Sequence, residues 1–395
     1  MLTIYLAAQE KFDWDDDENS KVIVLNPKEE RTLQEFYEAN QYYSNWFFLG
    51  QGAVFGPGLE AQDGHLTELT TFNAVARRLE CLPTFTKLRR LKLTLENKGD
   101  IVPLSQLAEL TELEIYGDRV QDLSPLAALK QLQRMVLSSD MMDDITPLAH
   151  LNSLKYLRLH GDRLNDLSPL SGLTGLVKVS LEFEQPLRDL GPLAGLQALE
   201  SLNLAESRVR DLRPLAGLTA LTSLNLEQNP GLEPGSLGKI SSLRELSLSG
   251  CGQEDLAFLA ELRGLETLIL AENLIVDLAP LARLGALKEL DLHRNKISNL
   301  APLAGLTSLT CLNLSENEIV DPGPLAGLTA LEQLDISRNE LGDLKALSGL
   351  TKLRQIDLSH NQINDLTLLS SLKALTNLDL QRNKLRRRCD LKLIR

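Results

Sequence analysis

A leucine returns every 22 residues, and that period constrains the fold more tightly than anything else in the chain. Residues 287 to 308 read LKELDLHRNKISNLAPLAGLTS, and the next 22 read LTCLNLSENEIVDPGPLAGLTA. With the first Leu of each LxxLxL as a start, the units begin at Leu88, Leu110, Leu132, Leu154, Leu176, Leu199, Leu221, Leu243, Leu265, Leu287, Leu309, Leu331, Leu353 and Leu375. Every interval is 22 residues except the 23 between Leu176 and Leu199, which makes 14 units. A degenerate unit precedes them. Leu79, Leu82 and Phe85 fill the apolar positions ahead of Leu88, and Leu66 and Leu69 sit one period earlier. An atypical first unit is expected, because the end of a stacked core must be capped.

The spacing predicts the physics of one coil. In LxLxL the side chains alternate between two faces, so the leucines point inward and the residues between them outward. One unit is too small to bury its leucines, so neighbours must stack, with strands about 4.8 Å apart in a parallel sheet. The return segment DLxPLAGL carries Pro in nine units (Pro103, Pro125, Pro147, Pro169, Pro192, Pro214, Pro280, Pro302, Pro324). Proline fits the first turn of a short helix or 3₁₀ segment, where its missing N–H is no loss. A return segment wider than the strand predicts a curved α/β solenoid with the strands on the concave side.

The run LDLHRNKISNLAPLAGL, which is LxxLxLxxN followed by xIxDLxPLxxL, resembles the leucine-rich repeat superfamily in its bacterial 22-residue, internalin-type class. The resemblance covers residues 66 to 388. It implies a right-handed coil with a parallel concave sheet, short 3₁₀ or helical convex segments, and a protein partner on the concave face. Residues 1–65 form the expected small α/β N-terminal cap or module, and residues 389–395 a C-terminal tail. In the cap, MLTIYLAA and KVIVLN read as strands and EERTLQEFYEANQYY as an amphipathic helix. It also holds Trp14, Trp46, Phe47 and Phe48.

Composition narrows the function. The net charge of −13 argues against a nucleic-acid groove or an anionic membrane surface, both of which need basic faces. No apolar stretch approaches the roughly 18 residues of a membrane-spanning helix, and the first residues do not read as a signal peptide. Cys81, Cys251, Cys311 and Cys389 show no CxxC spacing. Cys251 and Cys311 lie repeats apart, beyond the roughly 7 Å reach of a disulfide. A cytoplasmic location is the expectation, with export lacking a classical signal peptide as the alternative.

Two polar columns have structural explanations. Asn229, Asn273, Asn295, Asn317, Asn339, Asn361 and Asn383 form one, with Asp118, Asp140 and Asp162 in its place earlier. An amide both donates and accepts and satisfies turn backbone, whereas ionised Asp only accepts, so an altered turn is expected in the early units. The acidic residues ahead of the proline (Asp100, Asp122, Asp144, Asp166, Asp189, Asp211, Glu233, Asp255, Asp277, Asp321, Asp343, Asp365) fit Asx turns and helix-start caps. These 12 carboxylates nearly equal the net charge of −13, so the acidity is mostly structural.

The variable words lie on the strand. Toward the N-terminus the outward positions carry Arg90, Lys92, Tyr116, Arg134, Tyr156, Arg158, His160, Lys178 and, one position further out, Phe183. Arg and Tyr are characteristic interface hot-spot residues, so these are candidate partner-binding residues. Toward the C-terminus Asp291, Asp335, Asp357 and Asp379 form an acidic strip. Its readings are the default wording of the repeat or a seat for a basic segment.

Catalysis finds no constellation. The histidines His65, His150, His160, His293 and His360 are scattered without HxxxH or HExxH spacing. GQGAVFGPG lacks the Gly-Lys-Ser/Thr ending of a phosphate loop. DWDDDEN has Glu18 where a calcium loop needs Gly, and Val24 where it needs Glu. No cofactor is expected. The favoured function is a non-enzymatic protein-recognition scaffold binding a protein partner, without nucleic acid or membrane. The alternative is a bacterial effector or toxin-related protein whose residues 1–65 carry an activity while the repeats select the target.

Overall fold

The computed structural model describes residues 20–40, 47–50, 53–57, 59–70, 79–95, 100–367 and 371–385. MLTIYLAA, DWDDDEN, Trp14, Trp46 and Cys389 lie outside these residues. The chain divides into two compact units, Met1–Gln185 with Gly191–Ala198, and Pro186–Leu190 with Leu199–Arg395.

In the first unit, β1 (Ser20–Val24), β2 (Phe47–Gly50) and β3 (Ala53–Pro57) form a three-stranded antiparallel sheet with β3 central. The KVIVLN stretch is therefore a strand, and the following helix, α1 (Pro27–Asn40), falls on the EERTLQEFYEAN segment. Asn26 starts α1 because its Oδ1 accepts from the N–H groups of Lys28 and Glu29, at 3.1 and 3.0 Å. A second sheet begins with β4 (Leu59–Gln62), antiparallel to β5 (His65–Thr70). It then runs parallel through β6 (Arg90–Thr94), β7 (Glu112–Tyr116), β8 (Arg134–Ser138), β9 (Tyr156–Gly161) and β10 (Lys178–Phe183). Leu69 pairs with Leu91, so the degenerate unit holds the 22-residue register, and the antiparallel β4 covers what would be a bare edge.

The helix is fastened to that hairpin. Glu29 is 3% exposed, yet its Oε2 accepts the Leu66 N–H at 2.7 Å and its Oε1 meets His65 Nδ1 at 2.9 Å. Asn26 donates its backbone N–H and its Nδ2 to the Gly64 carbonyl, at 2.7 and 3.0 Å.

The second unit stacks β11 (Ser201–Asn203), β12 (Ser223–Asn225), β13 (Glu245–Ser247), β14 (Thr267–Ile269), β15 (Glu289–Asp291), β16 (Cys311–Asn313), β17 (Gln333–Asp335), β18 (Gln355–Asp357) and β19 (Asn377–Asp379). Each pairs in parallel with the next, residue for residue at 22-residue spacing, as in Leu268 to Leu290 to Leu312. The return segments in both units are 3₁₀ turns, such as Pro-containing Ala279–Arg283, closed by the Leu281 and Leu284 amides on the Leu278 and Leu281 carbonyls. The leucines line the interior: Leu265, Leu268, Leu270, Leu281 and Leu284 are all fully buried. Each such side chain stabilises the stack by about 1.5–3 kcal/mol.

The asparagine column explains how the turns close. Asn317 donates Nδ2 to the carbonyls of Leu314 and Ser315 in its own coil and to Leu292 in the preceding one, at 3.1, 3.1 and 2.9 Å. Its Oδ1 accepts the Ile297 N–H at 3.0 Å. Asn229, Asn273, Asn295, Asn339, Asn361 and Asn383 bridge coils in the same way. Cys251 takes this place in its coil, buried, with Sγ 3.1 Å from the Leu226 carbonyl, and burial pushes its thiol up to about 11.

Asp118, Asp140 and Asp162 do not join the ladder: Asp118 is exposed and the other two are half-buried. Strands β6 to β10 run on for five or six residues, and the position before each Asp turns inward. Ser139 is 1% exposed there, with Oγ donating to the Val120 carbonyl at 2.7 Å. Gly161 follows in the next coil, where a Cβ would stand 2.4 Å from the Ser139 carbonyl oxygen. This is the altered turn that a donor-less Asp requires.

Candidate functional site

The outward residues of β6 to β10 meet on one face because the register is exact at 22 residues. Arg90, Arg134, Tyr156 and Lys178 share one row, Lys92 and Arg158 a second, and Tyr116 and His160 a third. Arg134 lies over the Tyr156 ring, with its guanidinium carbon 4.1 Å from the centroid, and Lys92 Nζ stands 5.4 Å from the centroid of Tyr116. Both are cation–π distances.

Carboxylates organise this face, and the sequence reading missed their role. Glu114 accepts from Arg134 at 2.8 Å, from Tyr116 Oη at 3.1 Å, and pairs with Lys92 at 3.3 Å. Burial alone would raise the Glu114 carboxyl, but the Arg134 hydrogen bond and the Lys92 charge outweigh it and hold it below the usual range. Burial, reinforced by Glu114, raises the Tyr116 phenol. Arg90 is shared between Glu68 and Glu60, the latter at 2.6 Å, and Arg158 pairs with Glu182 at 3.0 Å. The signal was available: Glu68 sits 22 residues before Arg90, one rung away.

Phe183 is a correction. It is 2% exposed and pairs with Gly161, so its ring fills the inward turn position rather than facing a partner. The alternation Val179, Leu181, Phe183 continues inward because β10 is six residues long. The other eight candidates of this unit stay on the open face, with Arg158, His160 and Lys178 exposed.

In the second unit Asp335, Asp357 and Asp379 align one rung apart, with Asn313 between Asp291 and Asp335. Each Asp has a local task. Asp291, Asp335, Asp357 and Asp379 accept the N–H two residues on, at 2.8 to 3.0 Å. Asn203, Asn225 and Asn313 do the same at the same position. Burial raises the Asp335 carboxyl, the bonds from Ser337 oppose this, and the charges of Asp357 and Asp291 add to it. A groove of about 650 Å³ runs along this face, lined by Asp335, Asp357, Asp379, Gln333 and Gln355. Aspartates of the other acidic column cap the 3₁₀ turns, for example Asp277 on the Ala279 N–H at 2.8 Å, whereas Glu233 makes no side-chain cap bond.

Among the described residues no group of three His, Cys, Asp or Glu is arranged to hold a metal. No described helix is long and apolar enough to cross a membrane.

A leucine rich repeat family model matches residues 263–319, 286–341 and 320–363. The fold is a leucine-rich-repeat solenoid. A comparison with curated proteins finds no match. Among solved structures, the leucine-rich-repeat chain is similar to an internalin from Listeria monocytogenes, at 29% identity over 88% of this chain and 94% of that one, TM-score 0.62. It is also similar to a leucine-rich-repeat protein of Leptospira interrogans, at 25% identity over 80% and 83%, TM-score 0.72. A complex of TLR13 with ssRNA13 matches at 24% identity over 79% and 48%, TM-score 0.60, a likeness that shows the fold alone.

Proposed function

We propose that this protein is a non-enzymatic recognition scaffold whose protein partner docks on the strand face of the first unit. The carrying observation is the Glu114 cluster, in which one carboxylate fixes Arg134, Tyr116 and Lys92 while Arg134 stacks on Tyr156. Side chains ordered before binding lose little freedom on docking, so their contacts translate into affinity. Tyr and Arg are also the residues whose truncation hurts interfaces most. Leucine-rich-repeat proteins are generally protein-interaction scaffolds, which agrees. Nucleic acid and membrane stay outside the reading because of the net charge of −13.

The finer assignment is to the bacterial, 22-residue internalin-type class, supported by the 22-residue period of every interval but one and by the similarity to the Listeria internalin. Free Cys81, Cys251 and Cys311 support a reducing, cytoplasmic compartment. The bonds from Asn26 and Glu29 to residues 64–66 support reading the N-terminal segment as a cap.

The test is capture from lysate of the source organism, comparing wild type with Tyr156→Ala combined with Arg158→Ala. We expect the double variant to keep its melting temperature and to lose more than about fivefold in partner affinity, a cost of about 1 kcal/mol. Equal capture by both proteins overturns the assignment.

A further inference from the structure

The 22-residue period breaks once, in the 23-residue unit between Leu176 and Leu199, and the extra residue falls in the stretch just before Leu187. Beside it, within the second unit, lies a cavity of about 580 Å³ walled by Pro186, Arg188, Arg208, Arg210, Asp211 and Pro230. Arg188 and Arg210 occupy one repeat position, each directly before an Asp, on adjacent coils roughly 5 Å apart. The other units put residues such as Gln121, Asn165, Val276 and Ser298 there. Like charges one rung apart repel, and this chain is otherwise acidic.

Among the described residues none of these three arginines has an ion pair or a side-chain hydrogen bond. The one carboxylate in the wall is already engaged: Asp211 takes the fork of Arg213, with Nε–Oδ1 at 2.9 Å and Nη2–Oδ2 at 2.8 Å, and the Arg213 N–H as well. Arg208 is also held at φ +49°, a left-handed conformation for a side-chain-bearing residue. Glu206, before the column position, takes the left-handed turn that Gln228, Glu272 and Arg294 take in other second-unit coils, so Arg208 is a second left-handed residue in its own coil. Strain of this kind persists where the surroundings fix it, and it marks functional sites.

We infer that this cavity binds a phosphate monoester dianion. Asp211 and Arg213 show in the same place that one guanidinium fork satisfies a carboxylate. Three forks exceed that need and match a group with three terminal oxygens and a charge near −2. Pro186 and Pro230 flank Arg208 in its column, giving rigid apolar walls for the carbon side of the ester.

The experiment titrates the full chain with phenyl phosphate, inorganic phosphate and benzoate by isothermal calorimetry, on wild type and variants. Saturable phenyl phosphate binding is expected, at least about tenfold weaker in Arg188→Gln combined with Arg210→Gln. Arg208→Gly should weaken binding similarly while keeping or raising the melting temperature, because glycine accepts the left-handed backbone. Arg354→Gln, and Tyr156→Ala in the other unit, should bind as wild type does, which separates this site from the strand-face reading. Absence of saturable binding, binding that survives the double arginine change, or benzoate or inorganic phosphate binding as tightly as the ester overturns the inference.

Discussion

At Asn317 a carboxamide cannot be exchanged for a carboxylate, because three of its four bonds are donated. Asn317→Asp should lose about 2–4 kcal/mol in denaturant unfolding, the cost of carbonyls left unsatisfied beside a buried charge. The converse holds at Asp335, where only acceptance is needed and asparagine serves elsewhere in the column. Its folded carboxyl holds a proton more readily than the unfolded one. Ionised Asp335 therefore opposes folding at neutral pH, and that penalty fades as pH falls through the raised value. Asp335→Asn should raise the melting temperature at pH 7 by up to about 2 °C, with the gap to wild type closing toward about pH 4. The turn-capping Asp122, Asp144, Asp166, Asp211 and Asp365 behave oppositely. Hydrogen bonds hold them below the usual range, so their stabilisation is present above the unfolded value and is lost as pH falls through the folded one. The Asn and Asp columns were legible from spacing because each does one job per coil. Phe183 was not, since its outward placement assumed the short strands of the later units.

At the scale of elements, the staple between α1 and the β4–β5 hairpin is open to test. Glu29→Ala strands the Leu66 N–H and removes the His65 contact, for an expected loss of about 2–3 kcal/mol in thermal unfolding. In β15, Leu290 faces the core at 2% exposure while Asp291 faces out. Leu290→Asp should destabilise by at least about 4 kcal/mol, and Asp291→Ser should leave the melt nearly unchanged. Similar melts for the two would refute the inside–outside phasing. Every strand from β6 onward was legible in LxxLxL, because the period-two alternation and the 22-residue return leave one solution. The β4 edge strand was not, because LEAQ has no apolar repeat and is held by backbone pairing to β5. The face chemistry was legible as residue types but not as pairs. Ion pairs between rungs depend on which rotamer reaches which neighbour, as Glu114 does for both Lys92 and Arg134.

For the molecule as a whole, stability in such a stack comes from each coil and its neighbours alone. The last described coil has a partner on one side among the described residues, and Leu375, Leu378 and Leu380 are only half-buried. Amide hydrogen exchange should therefore be fastest in β19 and slowest near β14–β16, where leucines are sealed from both sides. Uniform protection along the second unit would contradict this. The identical register from β11 to β19 has a consequence for the ancestry of the protein. A gene segment encoding any whole coil can be copied in tandem or dropped, and the two surfaces brought together still fit. Length is then a quantity that inheritance can adjust in steps of one rung, without redesigning a core.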